Sequence, residues 1–357
     1  MVPFLKFLIR RLLSIPVTLF FITVVLYGVA MLAPPEERAM LYWPPRTRSN
    51  LPLEQFEAKL NSIIRQQGLN DPFPVQYGRW VTNLLRGDWG WSPTFNADVL
   101  DLLLARTPVT AELTLYSVLL LIPLGLISGV VAGWRPNRPV DNWFRLSAFV
   151  ATSIPPFILG LALLSIFYVG LRWFPAGRTG ITELSLRTVT TFKTYTGLLT
   201  VDGLLNGRLD VTKDALRHLV LPVFTLSLAH WATLARVTRA SMIEERHKDY
   251  VTAARSRGLL RRSVVWRHAF RNALLPALTS SALSAASLIT GVFIIEVIFS
   301  FKGLSELIIR GSQNTIDTGL ALGFAVYSVL MVLPIMFALD VIKALVDPRI
   351  REGEIES

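Results

Sequence analysis

The 357-residue chain contains no cysteine, which excludes disulfide bonds, thiolate catalysis and cysteine-ligated metal sites. Charge is also scarce, because Asp, Glu, Lys and Arg make up 17% of the residues, against about 25% in ordinary globular proteins. Apolar residues account for 52%. This composition excludes a disordered chain and argues against a soluble enzyme of this length.

The motifs of intramembrane hydrolases are missing as well. The sequence has no HExxH pair and no Gly-x-Ser-x-Gly turn, and no lysine follows a glycine as a phosphate-binding P-loop requires. None of the four histidines has metal-ligand spacing with a second one: His218, His230, His247 and His268. We therefore expect no catalytic residue, no metal site and no ATP hydrolysis by this chain.

Six segments without Lys or Arg dominate the sequence. They cover 12–33, 111–133, 148–171, 219–235, 274–299 and 319–342. A helix of about 20 apolar residues crosses a bilayer, and a basic residue at the bilayer centre costs about 2.5–3.5 kcal/mol. The first run, of 22 residues, is longer than the roughly 7–15-residue core of a signal peptide. We predict an all-α integral membrane protein with six transmembrane helices, the first of them retained.

The distribution of basic residues predicts the topology. With both termini in the cytoplasm, the inside segments hold 19 Lys and Arg in 78 residues, and the outside segments hold 17 in 143. This difference in density fits the positive-inside rule. The predicted organisation is an N-terminus with the first helix (1–33), an external cap (34–110) and a five-helix core (111–357). The core carries an external loop at 172–218 and a cytoplasmic loop at 236–273.

The external cap is predicted to be folded. Helical patterns cover Leu53–Gln67 and Gln76–Arg86, with a turn at 68–72 between them and Gly87 ending the second. The other external loop, 172–218, holds five glycines and one proline, which predicts an irregular loop with short pieces of structure.

The cytoplasmic loop is strongly basic, with ten Lys and Arg in 38 residues. It predicts two helices, Thr238–Arg257 with Gly258 as its stop, and Arg262–Asn272 ahead of Pro276. One face of the first carries four residues at i, i+3, i+4 and i+7: Tyr250, Ala253, Ala254 and Arg257. Small residues with Tyr and Arg favour a close protein interface, and a basic helix lying on anionic lipid is the alternative.

Motifs along the chain resemble those of ABC-importer permeases. The stretch from Thr252 to Gly258, followed by Arg267-His268-Ala269 and Leu274-Leu275-Pro276, resembles their EAA loop, with Thr252 in place of the Glu. Further similar stretches follow in order: 7–11, 68–72, 76–77, 87–90, 153–157, 235–239, 296–299, 303–304 and 347–349. The sequence looks most like the binding-protein-dependent dipeptide, oligopeptide and nickel branch.

This resemblance implies the type I ABC-importer permease fold and a coupling helix that contacts an ATPase subunit. The implied contact residues are Tyr250, Thr252, Ala253, Ala254, Arg255, Arg257 and Gly258. It also implies a bacterial inner-membrane complex with a sister permease, two ATP-binding subunits and an external substrate-binding protein, and no nucleic acid. ATP and Mg would be bound by those partners and no cofactor by this chain.

Small polar residues and one carboxylate are candidates for the translocation path. Ser280, Ser284, Ser287 and Gly291 share a face of the fifth span, which favours either a polar route or close helix packing. Glu296 near the end of that span is either a gate or an interfacial residue. The spacing of Gly125, Gly129 and Gly133 favours helix packing, and His230 is either hydrogen-bonded or a proton relay.

The resemblance implies import of peptides, with nickel chelates or other small solutes as the alternative within the branch. An ATP-independent secondary transporter is a more distant alternative. Such transporters often show inverted repeats, and we detect none in this sequence.

Overall fold

The structure, a computed structural model, describes residues 2–39, 42, 53–181, 192–313 and 317–346. In these ranges four helices are long and apolar enough to cross a membrane: Ile9–Ala30, Val99–Trp134, Leu209–Glu245 and Thr318–Ala338. Two bent helix pairs pass the same test when each is counted as one span: Pro139–Ser153 with Pro156–Gly170, and Arg261–Leu288 with Thr290–Ile298. The predicted all-helical membrane fold is confirmed, and six spans result when each bent pair is one.

The chain divides into two compact units. The first comprises Met1–Leu8, Pro108–Lys302 and Ile335–Ser357, and the second comprises Ile9–Thr107 and Gly303–Pro334. The boundary at 107/108 lies close to the end of the predicted cap at residue 110. The division differs from the predicted one because the first span and residues 303–334 group with the cap segment rather than apart from it.

The second unit contains the predicted cap helices. Its elements are most of α1 (Val2–Ala30), α2 (Pro35–Ala39), α3 (Leu53–Gln67), α4 (Phe73–Leu85), and β1 (Trp91–Ser92) paired antiparallel with β2 (Ala97–Asp98). Leu60, Ile63 and Ile64 of α3 form a small buried cluster, and Tyr27 of α1 stacks on Trp80 of α4 at 4.9 Å between ring centroids. The predicted helix over Leu53–Gln67 is confirmed to the residue.

The first unit holds the main core. It contains most of α5 (Val99–Trp134), α6 (Pro139–Ser153), α7 (Pro156–Leu163, continued by a π-helical segment Leu164–Gly170), α8 (Leu199–Leu205), α9 (Leu209–Glu245), α10 (Asp249–Ser256) and α11 (Phe270–Ile298). A helical turn Arg261–Ser263 and a π-helical segment Val264–Ala269 lead into α11.

Gly303–Pro334 of the second unit includes α12 (Leu304–Gly311) and most of α13 (Thr318–Val346).

A proline pair explains the bend between α6 and α7, whereas Pro276 does not end a helix. The axes of α6 and α7 differ by 98° at Pro155-Pro156, because proline lacks a backbone donor and constrains the preceding residue. The bend lies within the third predicted span, 148–171. Pro276 instead lies inside α11, so the predicted helix end ahead of it is wrong.

Two further helix boundaries differ from the sequence prediction. The predicted continuous helix Thr238–Arg257 is wrong, because α9 ends at Glu245 and α10 begins at Asp249. The predicted fourth span, 219–235, is the short apolar centre of α9, which has 37 residues. The loop that precedes α9 therefore ends at residue 208 rather than 218, and it contains α8.

Candidate functional site

The candidate site is built around α10, the short helix in the centre of the loop 236–273. Lys248 enters it with extended backbone, φ −70° and ψ 147°, and Asp249 lies in its first turn, where an acidic side chain opposes the positive end of the helix dipole. Gly258 ends the segment with φ +73°, a left-handed conformation that is strained for residues with a Cβ. The predicted stop at Gly258 is confirmed.

The inner face of α10 packs on the chain itself. Val251 is fully buried and Ala254 is 6% exposed. Both belong to a buried apolar cluster with Val130 of α5, Met242 of α9 and residues of the 264–273 segment. Ala254 was predicted to lie on the partner-facing side, and the structure places it on the opposite, buried side. The reason is that α10 needs its own apolar face to dock, and Ala254 supplies it one turn after Val251.

The outer face of α10 is exposed and combines small residues with Arg257. Its exposed residues include the predicted Thr252, Ala253, Arg257 and Gly258. Leu260 follows with 81% of its surface exposed, and sequence reasoning missed it. The sequence signal was the pair of leucines, Leu259 and Leu260, directly after Gly258. Apolar residues at this position in a basic loop indicate a surface that another protein can cover.

Tyr250 stands at the edge of this outer face. Its hydroxyl donates a hydrogen bond to the Glu245 carboxylate. Burial is the main cause that raises the pKa of Tyr250 to about 12, and the hydrogen bond to Glu245 raises it further. The phenol is therefore a neutral donor throughout the physiological pH range.

Arg255 is held by the chain itself. Its guanidinium carbon lies 5.0 Å above the ring centroid of Trp134, the last residue of α5, within the range of a cation–π contact. Arg255, which the resemblance implies as a contact for the ATPase, therefore also connects α10 to the end of a candidate membrane span.

Three glycines bring α5 against α9. A Cβ at Gly125 would lie 2.7 Å from Leu234 Cδ2, one at Gly129 would lie 2.6 Å from Thr238 Cβ, and one at Gly133 would lie 2.7 Å from Met242 Cβ. Real Cβ atoms do not approach so closely, so each position requires glycine for this contact. The predicted packing role of the stripe is confirmed.

A buried ion pair connects α6 to α9. Asp141 is fully buried and accepts hydrogen bonds from Arg239 Nε at 2.5 Å and Nη2 at 2.7 Å. The Asn137 backbone N–H adds a third at 2.9 Å. Sequence reasoning quoted Arg239 only as part of a motif and missed its partner. The signal was Asp141 itself, the sole acidic residue of the loop 134–147.

The exposed stripe of α11 is displaced by one residue from the predicted one. Ser284 is buried, Ser280 is half-buried, and of the predicted serines Ser287 alone is exposed. The exposed positions follow a different helical line: Thr279, Leu283, Ser287, Thr290, Ile294 and Val297. Ser287 Oγ lies 3.3 Å from His230 Nδ1, which supports the hydrogen-bonding interpretation of His230.

Glu296 does not lie on that stripe. It is fully buried, and the Thr110 hydroxyl of α5 donates a hydrogen bond to its carboxylate. In this conformation Glu296 joins α5 to α11 and does not line an open path. The gate role predicted for it would therefore require these two helices to separate.

A third buried carboxylate, Glu112, organises the loop between α7 and α9. Glu112, 1% exposed, accepts hydrogen bonds from Arg178 Nη2 at 2.9 Å and from Thr200 N at 2.8 Å. Arg178 also donates to the carbonyl of Gly197 at 2.6 Å. Sequence reasoning missed this network, because Arg178 and Thr200 lie 66 and 88 residues from Glu112.

Among the residues that the structure describes, no group of three or more His, Asp or Glu side chains could hold a metal ion. Of the buried carboxylates described above, Glu112 and Asp141 pair with arginines, and Glu296 accepts a hydrogen bond from Thr110.

Known proteins with similar sequences identify the family. The family described as "Binding-protein-dependent transport system inner membrane component" matches residues 122–352, and its N-terminal counterpart matches residues 4–114. The oligopeptide transport system permease protein AppB of Bacillus subtilis is 32% identical over 96% of this chain and 98% of its own length. OppB, the oligopeptide permease protein of Salmonella typhimurium, is 32% identical over 97% and 99%.

The di/tripeptide transport system permease protein DppB of Pseudomonas aeruginosa is 31% identical over 97% of this chain and 99% of its own. These similarities extend over nearly the whole sequence and include α10, the glycine stripe and the Asp141–Arg239 pair within the matched range 122–352. The chain therefore belongs to the inner-membrane components of binding-protein-dependent transport systems, the permease subunits of ABC importers.

Proposed function

We propose that this permease imports peptides, delivered by an external binding protein, across the bacterial inner membrane. It pairs with a sister permease and two ATP-binding subunits, and both of its termini lie in the cytoplasm. The names of the relatives, oligopeptide and di/tripeptide permeases, support the substrate class. The basic loop 236–273 supports the orientation, since basic residues concentrate on the cytoplasmic side.

The observation that carries the proposal is the two-sided construction of α10. Its inner face, Val251 and Ala254, is buried in the chain's own core, while its outer face is exposed. The small side chains of Thr252 and Ala253 on that face let a second protein approach closely, and an exposed leucine such as Leu260 is a suitable anchor for that protein. An ATPase subunit is the partner that an importer needs at this position.

The contacts of α10 give the ATPase a mechanical connection to the spans. Arg255 rests on Trp134 at the end of α5, and Val251 and Ala254 pack in one cluster with Met242 of α9. Arg239 of α9 in turn holds Asp141 on α6. When two ATP-loaded subunits close, α10 moves with them, and these contacts pass the displacement to three helices. ATP and Mg supply the energy on the partner subunits, while this chain binds neither.

The exposed stripe of α11 is our candidate for one wall of the peptide route. Its hydroxyl groups, on Thr279, Ser287 and Thr290, can exchange hydrogen bonds with peptide amides as water is displaced. No charged residue lies on this stripe, so it favours no particular charge in the peptide.

Two exposed helical alanines, Ala253 of α10 and Ala58 of α3, provide the test. Ala253→Glu places a charge on the exposed face, and we expect at least about a tenfold loss of peptide-stimulated ATP hydrolysis and uptake in proteoliposomes, with normal insertion. A shift of 1.4 kcal/mol at the interface gives that factor. Ala58→Glu is the matched control, because Ala58 is also an exposed helical alanine, on α3, and uptake by this variant should match the wild type.

Three results would contradict different parts of the proposal. Wild-type uptake and ATPase stimulation by Ala253→Glu would contradict the docking role of α10. Uptake that continues when the ATP-binding subunits are left out would favour an ATP-independent transporter. Competition by nickel chelates and not by di- or tripeptides would replace the proposed substrate class while leaving the ATPase contact intact.

A further inference from the structure

A cleft of about 490 Å³ opens beside the end of the π-helical segment that follows α7. Its lining is Tyr168, Val169, Arg172, Phe174, Pro175 and Arg217. This described lining carries two guanidinium groups and no carboxylate. The electrostatic complement of the cleft is therefore an anion.

The two arginines differ in how they are held. Arg217 donates from Nε at 3.1 Å and from Nη2 at 2.8 Å to the carbonyl of Trp173, so its position is fixed and its Nη1 is left for another acceptor. Arg172 has φ +56°, a left-handed conformation that is uncommon for a residue with a Cβ. Its exposed side chain makes no hydrogen bond or ion pair with any residue that the structure describes.

Two cations around one cleft repel each other unless an anion lies between them. A phosphate group is well matched to two guanidinium groups, because each guanidinium presents paired donors to its oxygens. The shared chemistry is therefore that of a phosphate, either free or attached to a lipid.

The surroundings of the cleft favour the lipid. Ile166, Val169 and Leu171, around the same segment, are exposed, and Val169 exposes 64% of its surface. On α9, which supplies Arg217, a line of exposed apolar side chains runs through Leu216, Val220 and Phe224 at i, i+4 and i+8. In a membrane protein such surfaces face acyl chains, and Tyr and Trp beside them are typical of the interface.

We propose that this cleft binds the phosphodiester headgroup of an anionic membrane phospholipid between Arg172 and Arg217. The acyl chains then lie along the exposed apolar residues of the π-helical segment and of α9. Because the described lining holds no carboxylate to pair with a choline or ethanolamine cation, anionic lipid binds better than zwitterionic lipid. The site is separate from α10 and from the stripe of α11, so it goes beyond the proposed transport function.

The test counts lipids retained by the assembled transporter. The complex is reconstituted in nanodiscs with equal phosphatidylglycerol and phosphatidylcholine, and lipids that stay bound are counted by native mass spectrometry. Arg172→Gln should lower the apparent phosphatidylglycerol affinity about fivefold, and the double variant with Arg217→Gln about thirtyfold, at about fivefold for each basic residue near a lipid surface. Lys213→Gln is the control, since Lys213 is an exposed cation of α9 that does not line the cleft.

Arg172→Gln should fold normally because its side chain has no partner among the described residues. Four results would overturn the proposal. The first is equal phosphatidylglycerol retention by this variant and the wild type, and the second is equal retention of the two lipids by the wild type. The third is displacement of phosphatidylglycerol by millimolar inorganic phosphate, which would assign the cleft to a soluble anion. A photo-crosslinker at position 172 that labels the sister permease and not lipid would likewise replace the lipid with a subunit contact.

Discussion

Replacing Arg239 by glutamine should be among the most damaging single changes in this permease. Asp141 is fully buried and receives two of its three hydrogen bonds from Arg239, at 2.5 and 2.7 Å. Removing that guanidinium leaves a buried carboxylate with the Asn137 N–H as its remaining donor. Breaking a buried pair from one side costs about 3–5 kcal/mol, because the surviving charge stays desolvated.

A double-mutant cycle separates this pair from general damage to α9. Asp141→Asn in the Arg239→Gln background removes the stranded charge, so the double variant should be more stable than the sum of the single losses by about 2 kcal/mol. Thermal unfolding in detergent, followed by tryptophan fluorescence, gives the ranking of the four proteins. Transport per ATP hydrolysed, in proteoliposomes, tests whether the pair also carries motion from α10.

Arg236→Gln is the matched control, because Arg236 lies one turn earlier on α9, is exposed, and donates to a carbonyl of its own helix. It should melt close to the wild type. Strictly additive losses at 141 and 239, or a wild-type melting curve for Arg239→Gln, would refute the reasoning.

Two further predictions concern the glycine stripe and the edge of α10. Gly129→Ala places a Cβ 2.7 Å from the carbonyl oxygen of Ala235 and should cost about 1–3 kcal/mol by overpacking. Gly78→Ala on α4, where no atom lies within 4 Å, should be neutral or stabilising by up to about 1 kcal/mol; equal melting of the two variants would disprove the close contact. The pKa of Tyr250, raised to about 12, means that its contribution to stability is complete below pH ~10 and is lost as the pH rises through ~12. The ultraviolet difference titration of wild type against Tyr250→Phe should show no tyrosinate from this residue at pH 9, and its appearance there would contradict the assignment.

The sequence predicted the helices whose ends carry strong local signals. Gly258 adopts φ +73° and Gly87 adopts φ +87°, and glycine is the residue that tolerates those angles. The six apolar spans were readable for the same kind of reason, since each residue type has a defined cost in lipid.

The sequence could not show which face of a helix is buried in the chain's own core and which face is exposed. The line through Tyr250, Ala253 and Ala254 defines a helical face, but a small residue suits the chain's own core as well as another protein, and Ala254 turned inward. The break at residues 246–248 has no glycine or proline to mark it. The serines of α11 were assigned to a face one residue away from the exposed one, because small residues satisfy packing and polar roles equally.

Long-range pairs were hidden altogether. Glu112 and Arg178 are 66 residues apart, and Asp141 and Arg239 are 98 apart. In the sequence, each of these residues is an ordinary charged residue in a loop or near the end of a span. Its partner depends on which helices pack together. Such pairs become visible only when the fold is known.

The glycine contact between α5 and α9 has a consequence for relative motion. Gly125 and Gly133 lie about 12 Å apart along α5, and the side chains that fill the gaps prevent gradual sliding, so α9 shifts past α5 only by a whole turn of about 5.4 Å. Small displacements therefore move both helices as one rigid rod, with α6 tied to it by Asp141. A conformational change within the first unit must therefore keep α5, α6 and α9 together or break these contacts.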